Sequence, residues 1–419
     1  MTTPGPRRWT EQRWLVDTAI RTEGVEWDQP RIGFTMRPAG IEANFDFAQI
    51  RNRVRKFTDF TPAFRQMAER RELMAKKSEN DGYLVTARDH YFIAALLYVS
   101  AEWAIFEHSP LLKELETLKN ECYAAWARLA PHHVERVEIP FGDQSIPAWV
   151  HLPRGRHGDP LPVVLACGGM DAFKEINVAM YGDKFLERGF AVLAFDGPGQ
   201  GEAIVKGIPT TEDNWIATGQ ALMEWALTRP EIDSDRIMGF GISFGSFWMT
   251  QIAATQPRMR GCVVSMVCHE PGAVTLFERA TPTFKARFMW MAGIEDEEEF
   301  DRFAEKLDLR QLVSGMTVPW LVIAGEADEL SPIEHTYRLA QLSPGPTPLL
   351  IYEGERHSLQ ALDTAFGGSA ASQGPNWYTT AADWLLDRSA GKPVEEFFHY
   401  VTSSGMVQDR PHPKKSAAN

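Results

Sequence analysis

No stretch of this sequence is both apolar enough and long enough to cross a bilayer. The most apolar run, residues 91–106, is broken by Ser100 and Glu102 and falls short of the roughly 20 residues a spanning helix needs. It is read as a buried helix. Positive charge is also scarce: 43 Lys and Arg stand against 56 Asp and Glu, for a net charge of −13. Nucleic acid and anionic membrane both select a basic face, so neither is expected as a partner. Cysteine is rarer still. Cys122, Cys167, Cys262 and Cys268 show no CxxC and no metal-ligand spacing. Small buried thiols in a reducing cytoplasm are expected, with no metal and no cofactor. A basic-then-apolar leader is missing too, since Met1 to Glu11 is polar and carries Pro4 and Pro6.

What is present divides near Ala130-Pro131. Residues 1–131 carry apolar side chains at three-to-four spacing over 45–56, 62–77, 87–106 and 111–129, with Leu111, Leu112, Leu115 and Leu118 as one stripe. This is the pattern of a helical domain. Residues 132–390 alternate short β-rich runs with helical stretches. Eight strands are predicted, at 133–140, 146–152, 162–167, 190–196, 237–242, 262–268, 320–324 and 349–352. Several are continuously apolar, as parallel strands covered on both faces are. Helices are predicted at 174–188, 214–228, 244–254, 333–342 and 377–388. The fold class is therefore α/β: a mostly parallel eight-stranded sheet opened by a hairpin, with helices on both faces. Residues 270–315 are too long for a simple connection and are expected to add helices over the carboxyl edge of the sheet. The tail, 391–419, reads as loosely ordered.

One pentapeptide carries chemistry. Gly241-Ile242-Ser243-Phe244-Gly245 sits between the fifth strand and a helix, where small residues on both sides let a serine Oγ stand clear of a tight turn. Serine is a weak nucleophile without a base. In this architecture an acid follows the seventh strand and a histidine the eighth. Asp328 and His357 fall there, with Glu326 and Glu329 as rival acids and His269 and His335 as other histidines. The Gly-x-x-Asp spacing favours Asp328. His357 would take the proton of Ser243 and Asp328 would orient the imidazole. An oxyanion needs two preorganised N–H donors. Phe244 supplies one at the helix N-terminus, and the Cys167-Gly168-Gly169-Met170-Asp171 turn supplies the other, from Met170 or else Gly169.

These motifs resemble the α/β-hydrolase superfamily. The segments Gly168-Gly169-Met170-Asp171-Ala172-Phe173-Lys174-Glu175, Phe195-Asp196-Gly197-Pro198-Gly199-Gln200-Gly201 and the serine turn resemble one branch of it. That branch has a helical N-terminal domain and includes 2,6-dihydropseudooxynicotine hydrolase, FrsA-like esterases and fungal pigment hydrolases. Where the branch has Ser or Thr, this chain has Ala172. The resemblance implies a helical cap over Ser243, a site between the two domains, a homodimer, and C–C bond hydrolysis of β-diketone-like or acylated aromatic substrates besides ester cleavage.

The expected function is cofactor-independent hydrolysis at a carbonyl carbon, either of an ester or of a C–C bond. The substrate is an apolar or aromatic small molecule. Acyl transfer and non-catalytic binding remain as alternatives. His269, Glu270 and Glu278 are candidates for substrate contact.

Overall fold

The computed structural model describes residues 8–27, 35, 38–155, 158–178, 183–359 and 370–416. Ten strands form one sheet: β1 (His133–Phe141), β2 (Gln144–Leu152), β3 (Leu161–Cys167), β4 (Ala191–Phe195), β5 (Ile232–Ile242), β6 (Gly261–Ser265), β7 (Trp320–Gly325), β8 (Leu349–Tyr352), β9 (Phe398–Val401) and β10 (Val407–Asp409). Their order is β1-β2-β4-β3-β5-β6-β7-β8-β9-β10. Strands β3 to β9 pair in parallel, β1 and β2 form an antiparallel hairpin, and β2 runs antiparallel to β4. Gly142, at φ 61°, makes the hairpin turn between Phe141 and Gln144, a backbone region that glycine enters without cost.

Residues of the central strands alternate between two cores. Val163, Leu165 and Cys167 of β3 pack on one face with Leu193, Phe195, Leu349 and Ile351. Val164 and Ala166 pack on the other with Val192, Ala194, Leu350 and Tyr352. Because both faces are buried, these strands read as unbroken apolar runs. The first face is covered by α6 (Asn214–Leu227), α7 (Phe244–Thr255) and the inserted helices α8 (Val274–Arg279), α9 (Pro282–Ala292) and α10 (Glu297–Ala304), with α11 (Ile333–Leu342) behind them. Helix α12 (Trp377–Ser389) covers the second.

Helices α1 (Arg8–Glu23), α2 (Asn44–Arg53), α3 (Phe60–Asn80), α4 (Leu84–Trp103) and α5 (Pro110–Leu129) precede the sheet. They build a third core around Phe47, Phe64, Leu97, Tyr98, Leu115 and Tyr123, into which Trp149 of β2 inserts. Helix α4 is buried nearly all round because α3 and α5 flank it. Helix α5 starts sharply: Ser109 Oγ accepts the Leu112 N–H at 3.2 Å and Pro110 takes the first helical position.

Two expectations are corrected. The tail contains β9 and β10, which extend the sheet to ten strands, and His412 is buried with Nε2 2.8 Å from Thr347 O. The strands are short and half-exposed, so their alternation is weak, and pairing with β8 defines them. The helix expected at 174–188 is confined, among the described residues, to Lys184–Glu187; 179–182 lie outside those residues. The backbone at Lys174 is committed elsewhere: its N–H donates to Asp196 Oδ1 at 2.7 Å.

That commitment belongs to a buried ion cluster joining the helices to the sheet. Lys119 of α5, with no exposed surface, lies 2.8 Å from Glu116, 3.6 Å from Glu102 of α4 and 3.6 Å from Glu175. Lys174, equally buried, lies 2.8 Å from Glu175, 3.2 Å from Asp196 and 2.8 Å from Glu202. Trp149 Nε1 of β2 donates to Glu175 at 3.2 Å. Two ammonium groups thus face five carboxyl groups. Burial pushes Glu175 upward, but the two lysines outweigh it and hold this carboxyl at about 2. For Glu102 burial wins. Despite Lys119, and with Glu116 adding to the push, its carboxyl rises well above the ordinary range.

Removing one partner of such a cluster leaves uncompensated buried charge. Lys174→Met is expected to lower the unfolding free energy by about 3–5 kcal/mol, read from urea titrations. Glu102→Gln mimics the protonated carboxyl. In the parent a raised folded-state pKa costs stability as pH climbs above the ordinary carboxyl value. The variant is therefore expected to gain on the parent as pH rises from 4.5 to 8, and a pH-independent difference would contradict a raised Glu102 carboxyl.

Candidate active site

The turn from β5 into α7 places Ser243 at φ 55° and ψ −129°, a region that costs a non-glycine residue of order 1–3 kcal/mol. Its neighbours leave room for this geometry only as glycines. A Cβ at Gly241 would lie 2.3 Å from Gly245 O, and one at Gly245 would lie 2.4 Å from both Cys167 O and Gly168 O. The turn is pinned on its other side by the Ser243 N–H donating to Ser265 O at 3.0 Å.

The loops after β7 and β8 are laced together. The Glu326 N–H donates to Tyr352 O and the Ala327 N–H to Glu355 O, each at 2.9 Å. This brings Asp328 Oδ2 to 2.8 Å from His357 Nδ1, and His357 Nε2 to 3.0 Å from Ser243 Oγ. The other carboxylate oxygen of Asp328 accepts the N–H groups of Leu330 and Ser331 at 2.8 and 2.9 Å. Burial alone would depress the His357 pKa. The charge of Asp328 and its hydrogen bond, with Glu329 adding to them, outweigh burial and raise it above the ordinary value. The imidazole is thus a stronger base than a free one, and the bond to Asp328 fixes Nδ1 as the protonated nitrogen.

The rival carboxylates have other partners. Glu326 accepts from Tyr400 Oη of β9 at 2.8 Å and from the Gly354 N–H at 3.2 Å. Glu329 accepts the backbone N–H of His357 at 3.1 Å. His335 Nε2 stands 3.9 Å from Glu270.

The glycine turn after β3 lies beside the serine by register. Cys167 is opposite Gly241 in the parallel ladder, so two residues further on Gly169 meets Ser243. A Cβ at Gly169 would lie 2.8 Å from Ser243 Cβ and 3.3 Å from its Oγ. The Met170 N–H has no hydrogen-bond acceptor among the described residues. Phe244 opens α7, so its N–H precedes the first intrahelical bond. Both donors are free for an oxyanion. The Trp103 indole of α4 donates to Asp171 at 2.8 Å, tying the same turn to the helical layer.

Of the three residues suggested for substrate contact, His269 and Glu270 have partners of their own within the fold. His269 is buried, with Nδ1 3.1 Å from Thr336 Oγ1 and its ring against Trp320. Burial drives its pKa down to about 3, so it is neutral. Glu270 caps α8, accepting from the Thr275 N–H and hydroxyl at 2.7 and 2.8 Å. Glu278 lies on the exposed side of α8. Other neighbours were not foreseen. Cys268 is a buried thiol near the Ser243 hydroxyl, pushed well up by burial. Gln200 bonds to the glycine turn, and Lys174 and Glu175 lie in the ion cluster just past it. The one sequence signal for them was a polar residue inside an otherwise glycine- and proline-rich or apolar segment.

Comparison with known proteins agrees with an α/β-hydrolase fold. The family model described as esterase FrsA-like matches residues 64–283, and that of the prolyl oligopeptidase family matches residues 180–392. The alpha/beta hydrolase gkaG of Penicillium citrinum is 30% identical over 210 residues, covering 48% of this chain and 49% of its own. This chain thus spans about half the length of that relative. The 2,6-dihydropseudooxynicotine hydrolase of Paenarthrobacter nicotinovorans is 25% identical over 310 residues, 74% of this chain and 81% of that one. A crystal structure of 2,6-dihydroxy-pseudo-oxynicotine hydrolase shares the fold, with a TM-score of 0.72 at 23% identity over 87% of this chain and 97% of that one.

The contact between Gly169 and Ser243 yields a direct test. Gly169→Ala must push the glycine turn or the serine aside, and a displacement of about 1 Å at a reacting centre costs on the order of 10²-fold in rate. Hydrolysis of a short p-nitrophenyl ester is expected to fall by that order with the circular dichroism spectrum retained. Unchanged turnover would place the reacting carbonyl elsewhere.

Proposed function

The chain belongs to the FrsA-like esterase family, and on that premise we propose that it hydrolyses a carbonyl substrate through an acyl-enzyme on Ser243. The observation that carries this reading is the continuous hydrogen-bond chain from Ser243 Oγ through His357 to Asp328, at 3.0 and 2.8 Å, on a strained serine. Ser243 Oγ attacks the carbonyl carbon as His357 Nε2 takes its proton. The oxyanion is held by the Met170 and Phe244 N–H groups. Collapse expels the leaving group, which collects the proton from His357. Water then enters by the same route in reverse and releases the acid.

Two leaving groups suit this machinery: the alkoxide of an ester, or the enolate of a β-diketone-like substrate. The resemblance to 2,6-dihydropseudooxynicotine hydrolase over 74% of the chain supports the second. The substrate in this reading is small and apolar or aromatic.

A fluorophosphonate probe is expected to label the native protein and not Ser243→Ala, whose turnover falls by on the order of 10⁶-fold. Labelling that survives the substitution overturns the nucleophile. Parallel assays of p-nitrophenyl esters and aryl β-diketones separate the two leaving groups: cleavage of esters alone removes the C–C reading.

A further inference from the structure

We infer that Gln200 is a positioning residue that aims the oxyanion donor of the glycine turn. The inference rests on the serine-hydrolase reading of the site and gives a task to a residue outside the Ser243–His357–Asp328 chain.

Gln200 is 1% exposed, and its side-chain amide is used at both ends. Oε1 accepts the Gly197 N–H at 3.1 Å, while Nε2 donates to Gly168 O and Gly169 O, each at 2.8 Å. Only one orientation of the amide satisfies all three contacts. Flipped, it would set its oxygen against two carbonyl oxygens and its NH₂ against an N–H.

The consequence comes from peptide geometry. In a planar trans peptide the N–H points opposite to the C=O. Holding Gly169 O toward Gln200 therefore directs the Met170 N–H to the opposite side. Holding Gly168 O does the same for the Gly169 N–H. The Ala172 N–H also donates to Gly169 O at 3.1 Å, whereas the peptide between Gly168 and Gly169 has glycine on both sides and offers little resistance of its own. A rotated peptide between Gly169 and Met170 would offer an oxyanion a carbonyl oxygen in place of a donor. The two hydrogen bonds from one buried amide oppose that rotation at adjacent peptides.

Gln200 is itself held. Its N–H donates to Gly197 O at 2.9 Å, and the Gly199 N–H donates to Ile208 O at 2.8 Å. A Cβ at the next residue, Gly201, would strike Asp196 at 2.3 Å. Asp196 in turn accepts the backbone N–H groups of Lys174 and Glu202 at 2.7 and 3.0 Å. The Gly-Pro-Gly-Gln-Gly segment is thus fastened to the buried ion cluster on one side and grips the glycine turn on the other.

The test uses the full chain with Gln200→Met, which keeps length without the donor, and Gln200→Glu, which keeps the acceptor for the Gly197 N–H. Kinetics on a p-nitrophenyl ester are paired with inhibition by an aryl trifluoromethyl ketone, which adds to the serine and places an oxyanion in the hole. Loss of an aligned oxyanion donor is worth on the order of 10²-fold in kcat. The expected result is a kcat lower by about that factor per fluorophosphonate-titrated site, KM within about threefold, and ketone affinity falling in parallel with kcat. A purely structural role would lower the titratable fraction and leave kcat per site and ketone affinity unchanged, which overturns the inference. Failure of both variants to fold also overturns it, assigning Gln200 to folding. In the same assay, turnover that persists in Ser243→Ala defeats the underlying hydrolase reading instead.

Discussion

The cluster around Lys119 and Lys174 is the constraint on which the rest of this molecule depends. Helices α4 and α5, strand β2, the segment after the glycine turn and the segment after β4 all place a side chain in it. Charges with no access to water must be matched by geometry, because misplacing one group leaves another unpaired in a low-dielectric interior. Apolar contacts tolerate small slides, whereas this network does not. It sets the helical layer and the sheet at one mutual position, and the glycine turn lies at their junction.

From that junction the site is assembled by register and close approach. Parallel pairing of β3 with β5 carries Gly169 to Ser243, and lacing between the loops of β7 and β8 carries Asp328 to His357. The serine sits in a costly backbone conformation, stabilised by contacts that only Gly241 and Gly245 permit. Strain at Ser243 and rigidity around it have the same origin. The surrounding backbone is packed too tightly for the serine to relax.

Much of this was legible in the sequence because parallel strands buried on both faces announce themselves as apolar runs, and the residues just past each run lie on the carboxyl edge of the sheet. Ser243, Asp328 and His357 each come after such a run, and so does Gly169. Other features depended on partners distant in the chain. Lys174-Glu175 reads as the start of a helix, and its burial depends on Lys119, Glu202 and Asp196. Strands β9 and β10 are too short and too exposed to show a period, and pairing with β8 defines them. Glu270 and Glu278 stand on an inserted segment whose helix faces are set by packing on α9 and α10, so proximity in sequence to β6 said little about where their carboxylates point.

The bond between Trp103 and Asp171 bears on how such a molecule can change over evolutionary time. Together with Lys119 it makes part of the support for the glycine turn the property of the helical layer. The two layers are therefore not interchangeable modules. A helical layer transplanted from a relative would have to bring an indole and an ammonium group to the same two points, whatever substrate-facing surface it carried. Side chains between these anchors can vary without disturbing either one.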